Sequence, residues 1–221
     1  MTTLTNSPLA GLLDALYCEA DASRVRIEAM RADLTDMERA AIGSGTIDYR
    51  AYYARLKDEP LAVERSTGTL LYMMARSIRA RTIIEYGMSF AISTLHLAAA
   101  LHDNGGGTVI TTEFEPAKAI RGRDNLEKAA LLDLVEIREG DALETLSANI
   151  PDPVDLLLLD GAKHLYPAIL DRIEPHLRPG ALVIADNADR APDYLDRVRN
   201  PAGGYLSVPF GEDVELSLKI G

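Results

Sequence analysis

The spacing of hydrophobic residues changes near residue 81 and divides the chain into two regions. Before this point, apolar positions recur every three or four residues, as in amphipathic helices. The first stripe follows the helix-start signal Ser7-Pro8 and consists of Leu9, Leu12, Leu13, Leu16 and Tyr17. The second ends at Gly43 and Gly45 and consists of Ile27, Met30, Leu34, Met37 and Ala41. With further helices over 49–57 and 69–78, the pattern predicts a helical extension over residues 1–80.

From residue 81 onward, short apolar runs alternate with helical patterns, which is typical of a doubly wound α/β sheet. The predicted strands cover residues 82–86, 108–112, 135–138, 154–159 and 181–185. The predicted helices lie near 91–102, 116–130, 142–149, 165–177 and 191–199. The segments 204–208 and 214–219 read as a terminal hairpin. We expect one structural domain, with a core over 81–221 and residues 1–80 as a cap for substrate or a second subunit.

Oxygen-bearing side chains follow two of the predicted strands. Asp160 comes after strand 154–159, and Asp186 and Asn187 come after strand 181–185. If these are neighbouring parallel strands, the three side chains emerge at the same carboxyl edge, where open α/β sheets bind their ligands. Adjacent strands are about 5 Å apart, so the three oxygens can share one hard cation. Each residue alone could equally be a turn or capping residue.

Three further strand ends carry the marks of a nucleotide-type site. Gly87 follows the first strand in a turn where glycine permits close approach of a ligand, and Glu113 ends the second strand, where an acid accepts ribose hydroxyls. Glu115 precedes Pro116 and is assigned to the cap of the next helix. Asp141, in the segment 140–142, either contacts an adenine amine or caps the following helix.

In this order, the segments resemble the class I S-adenosylmethionine-dependent O-methyltransferases of the catechol and caffeoyl-CoA type. The resemblance covers roughly residues 60–221 and is most specific in the segments 160–163 and 185–187. It implies a Rossmann-like sheet of seven strands whose last strand is antiparallel. It also implies Mg²⁺ or another divalent cation on Asp160, Asp186 and Asn187, with Lys163 as the general base. His164 is the neighbouring alternative base.

The same resemblance implies where S-adenosylmethionine binds. The implied cofactor residues are Glu85, Gly87, Ser93 near the methionine carboxylate, Glu113 on the ribose, Asp141 and Ala142 near adenine, and Asp160. Two positions depart from the family pattern. Ala91 replaces the second glycine of the cofactor loop, and we expect it to begin the helix with helical backbone angles. Ala162 stands where relatives often have a bulky aromatic residue, so a wider acceptor pocket is expected.

The resemblance implies methyl transfer to a hydroxyl of a small, catechol-type acceptor. A phenol with a pKa near roughly 10 is mostly protonated at neutral pH, so a cation and a base suit the reaction. Two alternatives remain open at this stage. A nicotinamide-dependent oxidoreductase would share the glycine turn and Glu113 but would leave the strand-end acids without a role. A catalytically silent cofactor-binding or scaffold protein is suggested by Ala91, Ala162 and the apolar N-terminal helices.

Composition narrows the classes of partner. The 221 residues carry a net charge of −11, which disfavours nucleic acid and anionic membranes as partners. The N-terminal apolar stripe packs either on the main domain or on a second subunit, as in a homodimer. The single cysteine, Cys18, is expected to be a buried apolar residue in a reducing, cytoplasmic environment. His96, His102 and His176 are expected at surfaces or helix ends. The remaining aromatic set, for which packing is the default and pocket lining the alternative, is Tyr49, Tyr52, Tyr53 and Tyr72.

Overall fold

A seven-stranded mixed sheet forms the centre of the computed structural model, which describes residues 2–46 and 48–221. Met1 and Ile47, which belong to the predicted N-terminal region, lie outside the described residues. The strands are β1 (Thr82–Tyr86), β2 (Thr108–Glu113), β3 (Val135–Glu139), β4 (Val154–Leu159), β5 (Leu177–Ala185), β6 (Tyr205–Phe210) and β7 (Val214–Lys219). Their order is β3-β2-β1-β4-β5-β7-β6, and β7 runs antiparallel to β5. The predicted fold class, with its antiparallel last strand, is confirmed.

Helices cover the sheet on both faces. They are α1 (Leu9–Ala32), α2 (Asp36–Gly43), α3 (Tyr49–Ala54), α4 (Arg65–Ser77), α5 (Ile92–Asp103), α6 (Pro116–Lys128), α7 (Ala142–Thr145), α8 (Tyr166–Ile173) and α9 (Pro192–Arg199). Helices α1, α4, α5 and α6 share one apolar core with the sheet, and α8 and α9 share the other. Among the described residues, no helix is both long enough and apolar enough to cross a membrane.

The register of the central strands sets the position of the strand ends. Tyr86 pairs with Leu159, and Leu159 pairs with Ala185, so β1, β4 and β5 end at the same level. All six residues of β4 are buried, which explains the uninterrupted apolar run in the sequence. The prediction for β5 was too short. The strand starts at Leu177, which pairs with Val154, and it continues through an irregular register.

The prediction of a separate helix from Ile27 to Ala41 is wrong. Ile27 and Met30 belong to the 24-residue helix α1, which ends at Ala32, and α2 begins at Asp36. The break is fixed by a capping box, because Thr35 Oγ1 accepts from Glu38 N at 3.2 Å while a Glu38 carboxylate oxygen accepts from Thr35 N at 2.7 Å. Elsewhere, α7 is shorter than predicted, and α8 is followed by a 3₁₀ turn over Glu174–His176.

Two further predictions about single side chains are wrong. His96 is only 3% exposed, because α1 and α4 cover α5, and its Nδ1 lies 2.8 Å from Ile92 O. Burial lowers the pKa of His96, which favours the neutral ring. Cys18 is exposed, since its neighbour Tyr17 takes the inward position on α1. His102 does lie at the surface near the end of α5, as predicted.

The N-terminal segment of the chain is hydrogen-bonded to the core through Asp103. Its carboxylate accepts from Thr3 N at 3.0 Å, from Thr3 Oγ1 at 2.5 Å and from Tyr72 Oη at 2.6 Å. Tyr72 is therefore a packing residue here. Burial by itself raises the pKa of Asp103, but the hydrogen bonds from Thr3 and Tyr72 outweigh burial and lower the pKa to about 2.

We expect Asp103→Asn to lower the free energy of unfolding at neutral pH by about 1–3 kcal/mol, because charged hydrogen bonds are lost. The folded pKa lies below the ordinary value of 3.8, so this stabilisation is present above that pH and is lost as pH falls toward about 2. Urea unfolding from neutral to acidic pH should therefore show a shrinking difference between the two proteins. The exposed Asp133→Asn is the control, and a difference independent of pH would contradict the assignment.

Candidate active site

The loops that follow β1, β4 and β5 meet at the carboxyl edge of the sheet. Asp160 N donates to Tyr86 O at 2.9 Å, and Asp186 N donates to Leu159 O at 2.9 Å. Backbone hydrogen bonds thus continue past the strand ends and hold the two acids on adjacent chains. Gly161 follows Asp160 in the chain, and a Cβ atom on Gly161 would lie 2.3 Å from the Tyr86 ring.

The loop from Gly87 to Ala91 turns tightly between β1 and α5. Positive φ angles occur at Gly87 (98°), Ser89 (50°) and Ala91 (67°). A Cβ on Gly87 would lie 2.9 Å from the backbone of Asp160, so only glycine fits this close approach. Ala91 precedes α5 in the left-handed conformation, and the expectation of helical angles at this residue is wrong. That conformation costs about 1–2 kcal/mol, which burial of its methyl, worth about 0.8 kcal/mol, offsets only in part.

Glu113 binds the same loop. Its carboxylate accepts from Ser89 N at 2.8 Å and from Glu115 N at 2.9 Å, and its side chain is 7% exposed. Burial raises the pKa of Glu113, against the lowering effect of the backbone hydrogen bonds. Glu115 caps α6, as predicted, with its carboxylate 3.5 Å from Ala117 N.

A small cavity of about 70 Å³ lies between these strand ends and α3. Its lining includes five predicted site positions, Gly87, Glu113, Ala142, Asp160 and Ala162. Tyr49 and Tyr53 cover it and pack against Phe114, with ring centroids 6.1 and 6.5 Å apart. Cofactor sites commonly enclose about 300–1,000 Å³, so a nucleoside ligand enters this space only if the aromatic cover moves.

Three predicted cofactor residues are not among those that line this cavity. Glu85 is fully buried and accepts from Thr94 Oγ1 and Thr111 Oγ1, each at 2.5 Å. Burial raises the pKa of Glu85 to about 7, and Ser93 lies near enough to oppose this rise. Asp141 caps α7 by accepting from Leu143 N at 2.9 Å and also forms an ion pair with Arg50.

The strand-end acids form a buried pair. Asp160 is hydrogen-bonded to Lys163 Nζ at 3.0 Å, and the two side chains are 14% and 15% exposed. Burial raises the pKa of both Asp160 and Asp186, and for Asp186 the next largest cause is the charge of Asp160. The two carboxyl groups therefore retain a proton more readily than ordinary aspartates.

Asn187 completes the predicted set of oxygen ligands. Its backbone is left-handed, with φ of 48°, a conformation that asparagine tolerates better than most residues. Asn187 Nδ2 donates to Asp213 Oδ2 at 2.8 Å, and Ala188 N donates to Asp213 O at 2.7 Å. Asp213 was not predicted. It stands in the β6–β7 turn, which the antiparallel pairing of β7 with β5 brings to this edge.

A larger cavity of about 1,100 Å³ opens from Asp160 toward the N-terminal helices. Asp160, Ala162, Lys163, His164 and Asn187 line its inner end. Helices α1, α2 and α3 supply much of the opposite wall, including Tyr52 and Tyr53. Within the described residues no three His, Cys, Asp or Glu side chains group closely enough to hold a metal ion. The predicted metal site contains two acids, Asp160 and Asp186, and its third oxygen donor is the side-chain amide of Asn187.

Several known proteins resemble this chain in sequence or in fold. A methyltransferase domain family matches residues 84–188. Catechol O-methyltransferase from Niastella koreensis is 32% identical over 139 residues, which are 62% of each chain. The enzyme of that name from Mycobacterium tuberculosis is 34% identical over 130 residues, 59% of this chain and 58% of the relative. A solved O-methyltransferase, TomG from Streptomyces achromogenes in complex with S-adenosylmethionine, has a TM-score of 0.64 at 28% identity, covering 78% of this chain and 89% of TomG.

The chain is similar to the catechol-type O-methyltransferases. The resemblance drawn from the strand-end motifs is thereby confirmed. The match spans about 60% of the length of the two catechol O-methyltransferases, and the family model matches residues 84–188. The structural likeness to TomG extends over more of the chain.

The close approach at Gly87 gives a test of how the loop from Gly87 to Ala91 is packed. We expect Gly87→Ala to lower the free energy of unfolding by roughly 2–5 kcal/mol, because backbone strain adds to a clash with Asp160. Gly204→Ala is the matched control, since Gly204 has φ of 78° but nothing within 4 Å of a built Cβ. It should cost only about 1–2 kcal/mol in chemical denaturation. Equal losses in the two variants would show that the contact with Asp160 is unimportant.

Proposed function

We propose that this protein transfers the methyl group of S-adenosylmethionine to a hydroxyl of a small catechol-type acceptor, with a divalent cation at Asp160, Asp186 and Asn187. The observation that carries the proposal is the buried acid pair Asp160 and Asp186, in which Asp160 is ion-paired with Lys163 and lines both cavities. Like charges side by side favour a bound cation. A nicotinamide-dependent oxidoreductase would give these residues no role.

The cofactor is assigned to the smaller cavity. Strand order places the ends of β3, β2, β1 and β4 side by side, so a ligand there can meet Ala142, Glu113, Gly87 and Asp160 in turn. Glu113 is the ribose acceptor in this assignment, and Gly87 allows the ligand to approach the backbone. Neither Glu85 nor Ser93 lines the cavity, so in this assignment they support the loop and do not contact the ligand.

The donor set fits Mg²⁺, which prefers oxygen ligands and tolerates few protein donors. Asp213 holds the nitrogen end of the Asn187 amide and leaves the carbonyl end for a ligand. Binding of a dication would also relieve the repulsion that raises the pKa of Asp186. Once bound, the cation supplies charge stabilisation to an ionising hydroxyl.

Lys163 is assigned as the base rather than His164. The Lys163 amine lies beside Asp160 and over the Tyr166 ring, 5.3 Å from its centroid. The His164 ring packs against Tyr49 at 5.4 Å. Lys163 is therefore positioned to accept the proton of an acceptor hydroxyl that reaches Asp160, once the ammonium that pairs with Asp160 has released its own proton to solvent.

The larger cavity is assigned to the acceptor, and α1 to α3 are its cap. About 1,100 Å³ exceeds what a free catechol fills, which supports the expectation that Ala162 leaves a wide pocket. The acceptor reaches the cofactor side at Ala162, because Asp160, Gly161 and Ala162 line both cavities.

The metal assignment predicts that Asp186→Asn abolishes methyl transfer and divalent-cation binding while S-adenosylhomocysteine affinity changes little. We expect a loss of at least about 100-fold in cation affinity, since even groups that only support metal ligands matter by about 10- to 100-fold. Activity can be followed with radiolabelled S-adenosylmethionine and a catechol panel, and Mn²⁺ binding by magnetic resonance.

Asp189→Asn is the control, because Asp189 is an exposed acid near the same strand end, with 55% side-chain exposure. Full activity of the wild-type protein after EDTA treatment would refute metal dependence. Calorimetry that detects NAD but not S-adenosylhomocysteine would refute the methyltransferase assignment itself.

The acceptor assignment predicts that Ala162→Trp shifts selectivity toward small acceptors. An indole at this position would narrow the larger cavity, so the ratio of kcat/KM for bulky diols over free catechol should fall by roughly 10- to 100-fold. Radiolabelled methyl transfer to paired acceptors measures the ratio. If the variant stays folded and active with an unaltered ratio, position 162 does not contact the acceptor.

A further inference from the structure

The turn between β6 and β7 carries an acid, Asp213, that is not one of the three proposed cation ligands. The pairing of β7 with β5 sets Ala185 opposite Glu215, and this register, continued by two residues, sets Asn187 opposite Asp213. Two hydrogen bonds hold the turn against the loop after β5. Ala188 N donates to Asp213 O at 2.7 Å, and Asn187 Nδ2 donates to Asp213 Oδ2 at 2.8 Å.

The chemistry of these two side chains fixes the orientation of the Asn187 amide. A carboxylate only accepts hydrogen bonds, whereas an amide has an NH₂ donor at one end and a carbonyl acceptor at the other. The amide of Asn187 therefore meets Asp213 through its nitrogen, and its carbonyl oxygen lies at the opposite end. The two ends of an amide are nearly the same size, so shape alone would not select this orientation.

Only one of the two orientations suits the proposed cation. Mg²⁺ binds oxygen ligands, and an NH₂ group directed at the ion would bring partial positive charge toward it. Asn187 lines the larger cavity together with Asp160 and Lys163. Because Asp213 occupies the nitrogen end of the amide, the carbonyl oxygen is the end available to a ligand.

A role for Asp213 in folding alone explains less. The backbone hydrogen bond from Ala188 already ties the turn to the loop after β5 and does not involve the Asp213 side chain. Burial is the main cause of the raised pKa of Asp160 and of Asp186, and the charge of Asp213 adds to the rise in both. A third acid beside two buried acids is unfavourable for the chain by itself. The contact with the Asn187 amide gives this acid a purpose.

We propose that Asp213 is a positioning residue, which holds the Asn187 amide so that its carbonyl oxygen, and not its NH₂ group, faces the cation. The inference rests on the proposed function. It makes the third oxygen ligand dependent on the β6–β7 turn, so the C-terminal hairpin supports the metal site as well as closing the edge of the sheet. Groups that support metal ligands in this way commonly change metal affinity by about 10- to 100-fold.

The test measures Mn²⁺ affinity by magnetic resonance in four proteins: the wild type, Asp213→Asn, Asn187→Asp and the double variant. Asp213→Asn keeps the shape of the side chain but lets the two facing amides pair in either orientation, so Mn²⁺ affinity should fall about 10- to 100-fold. In Asn187→Asp both ends of the side chain are oxygen, and orientation no longer matters. Adding Asp213→Asn to Asn187→Asp should therefore not weaken Mn²⁺ binding.

The double variant separates orientation from charge. If Asp213 acts only through its negative charge, its loss weakens Mn²⁺ binding by the same factor in both backgrounds, and the proposal is wrong. An unchanged Mn²⁺ affinity in Asp213→Asn overturns it as well. Glu212→Gln, at an exposed position of the same turn, is the control for the loss of one acid and should leave Mn²⁺ affinity unchanged.

Two further measurements keep the result independent of folding and of the proposed function. Affinity for S-adenosylhomocysteine should stay within about threefold in Asp213→Asn, because the cofactor side is untouched. Should that variant not fold, Asp213→Ala gives the same comparison in the two backgrounds, with the same outcomes for and against. If the wild-type protein itself binds no Mn²⁺, the proposed metal site fails and the role of Asp213 fails with it.

Discussion

The constraint on which the site depends is the common level at which β1, β4 and β5 end. Because Tyr86, Leu159 and Ala185 are in register, the next residue of β4 and of β5 is forced into the same small volume. Both residues are aspartates, and burial there raises their pKa. A purely structural site would gain nothing from two buried like charges. Lys163 offsets part of the charge of the two aspartates, and the proposed cation would offset the rest. The strand register therefore determines both the fold and the position of the proposed site.

Close packing around these acids has consequences for the cofactor side. Gly87 and Gly161 let the backbones of two loops approach each other and the Tyr86 ring, which leaves little free space above the sheet. The cover of Tyr49 and Tyr53, together with the Arg50–Asp141 ion pair, then closes the remaining cavity to about 70 Å³. Since α3 carries all three covering residues, its movement is the simplest way to admit a ligand.

The strands, and the order in which candidate site residues follow them, could be predicted from the sequence because buried parallel strands are nearly continuous apolar runs. It failed where packing between distant segments decides the outcome. The Pro179-Gly180 pair reads as a turn, yet β5 passes through it because Leu177 pairs with Val154. His96 was read as a surface residue, although the apolar residues around it on all sides of α5 were a signal of burial. Asp213 was recoverable, since an antiparallel hairpin beside β5 must place its turn at the same edge.

The electrostatics of the larger cavity limit how it can select an acceptor. In a chain of net charge −11, its wall contains several arginines, but Arg24, Arg39 and Arg65 are each paired with a carboxylate, at 3.0, 2.9 and 3.2 Å. Exposed pairs of this kind are worth at most about 1 kcal/mol and leave little net field at the wall. These three arginines therefore add little to steering by charge, whereas Arg31 lines the same wall and forms no ion pair among the described residues. Selectivity for the proposed acceptor would then depend mainly on the shape of the aromatic and aliphatic wall and on Asp160 and Lys163 at its inner end.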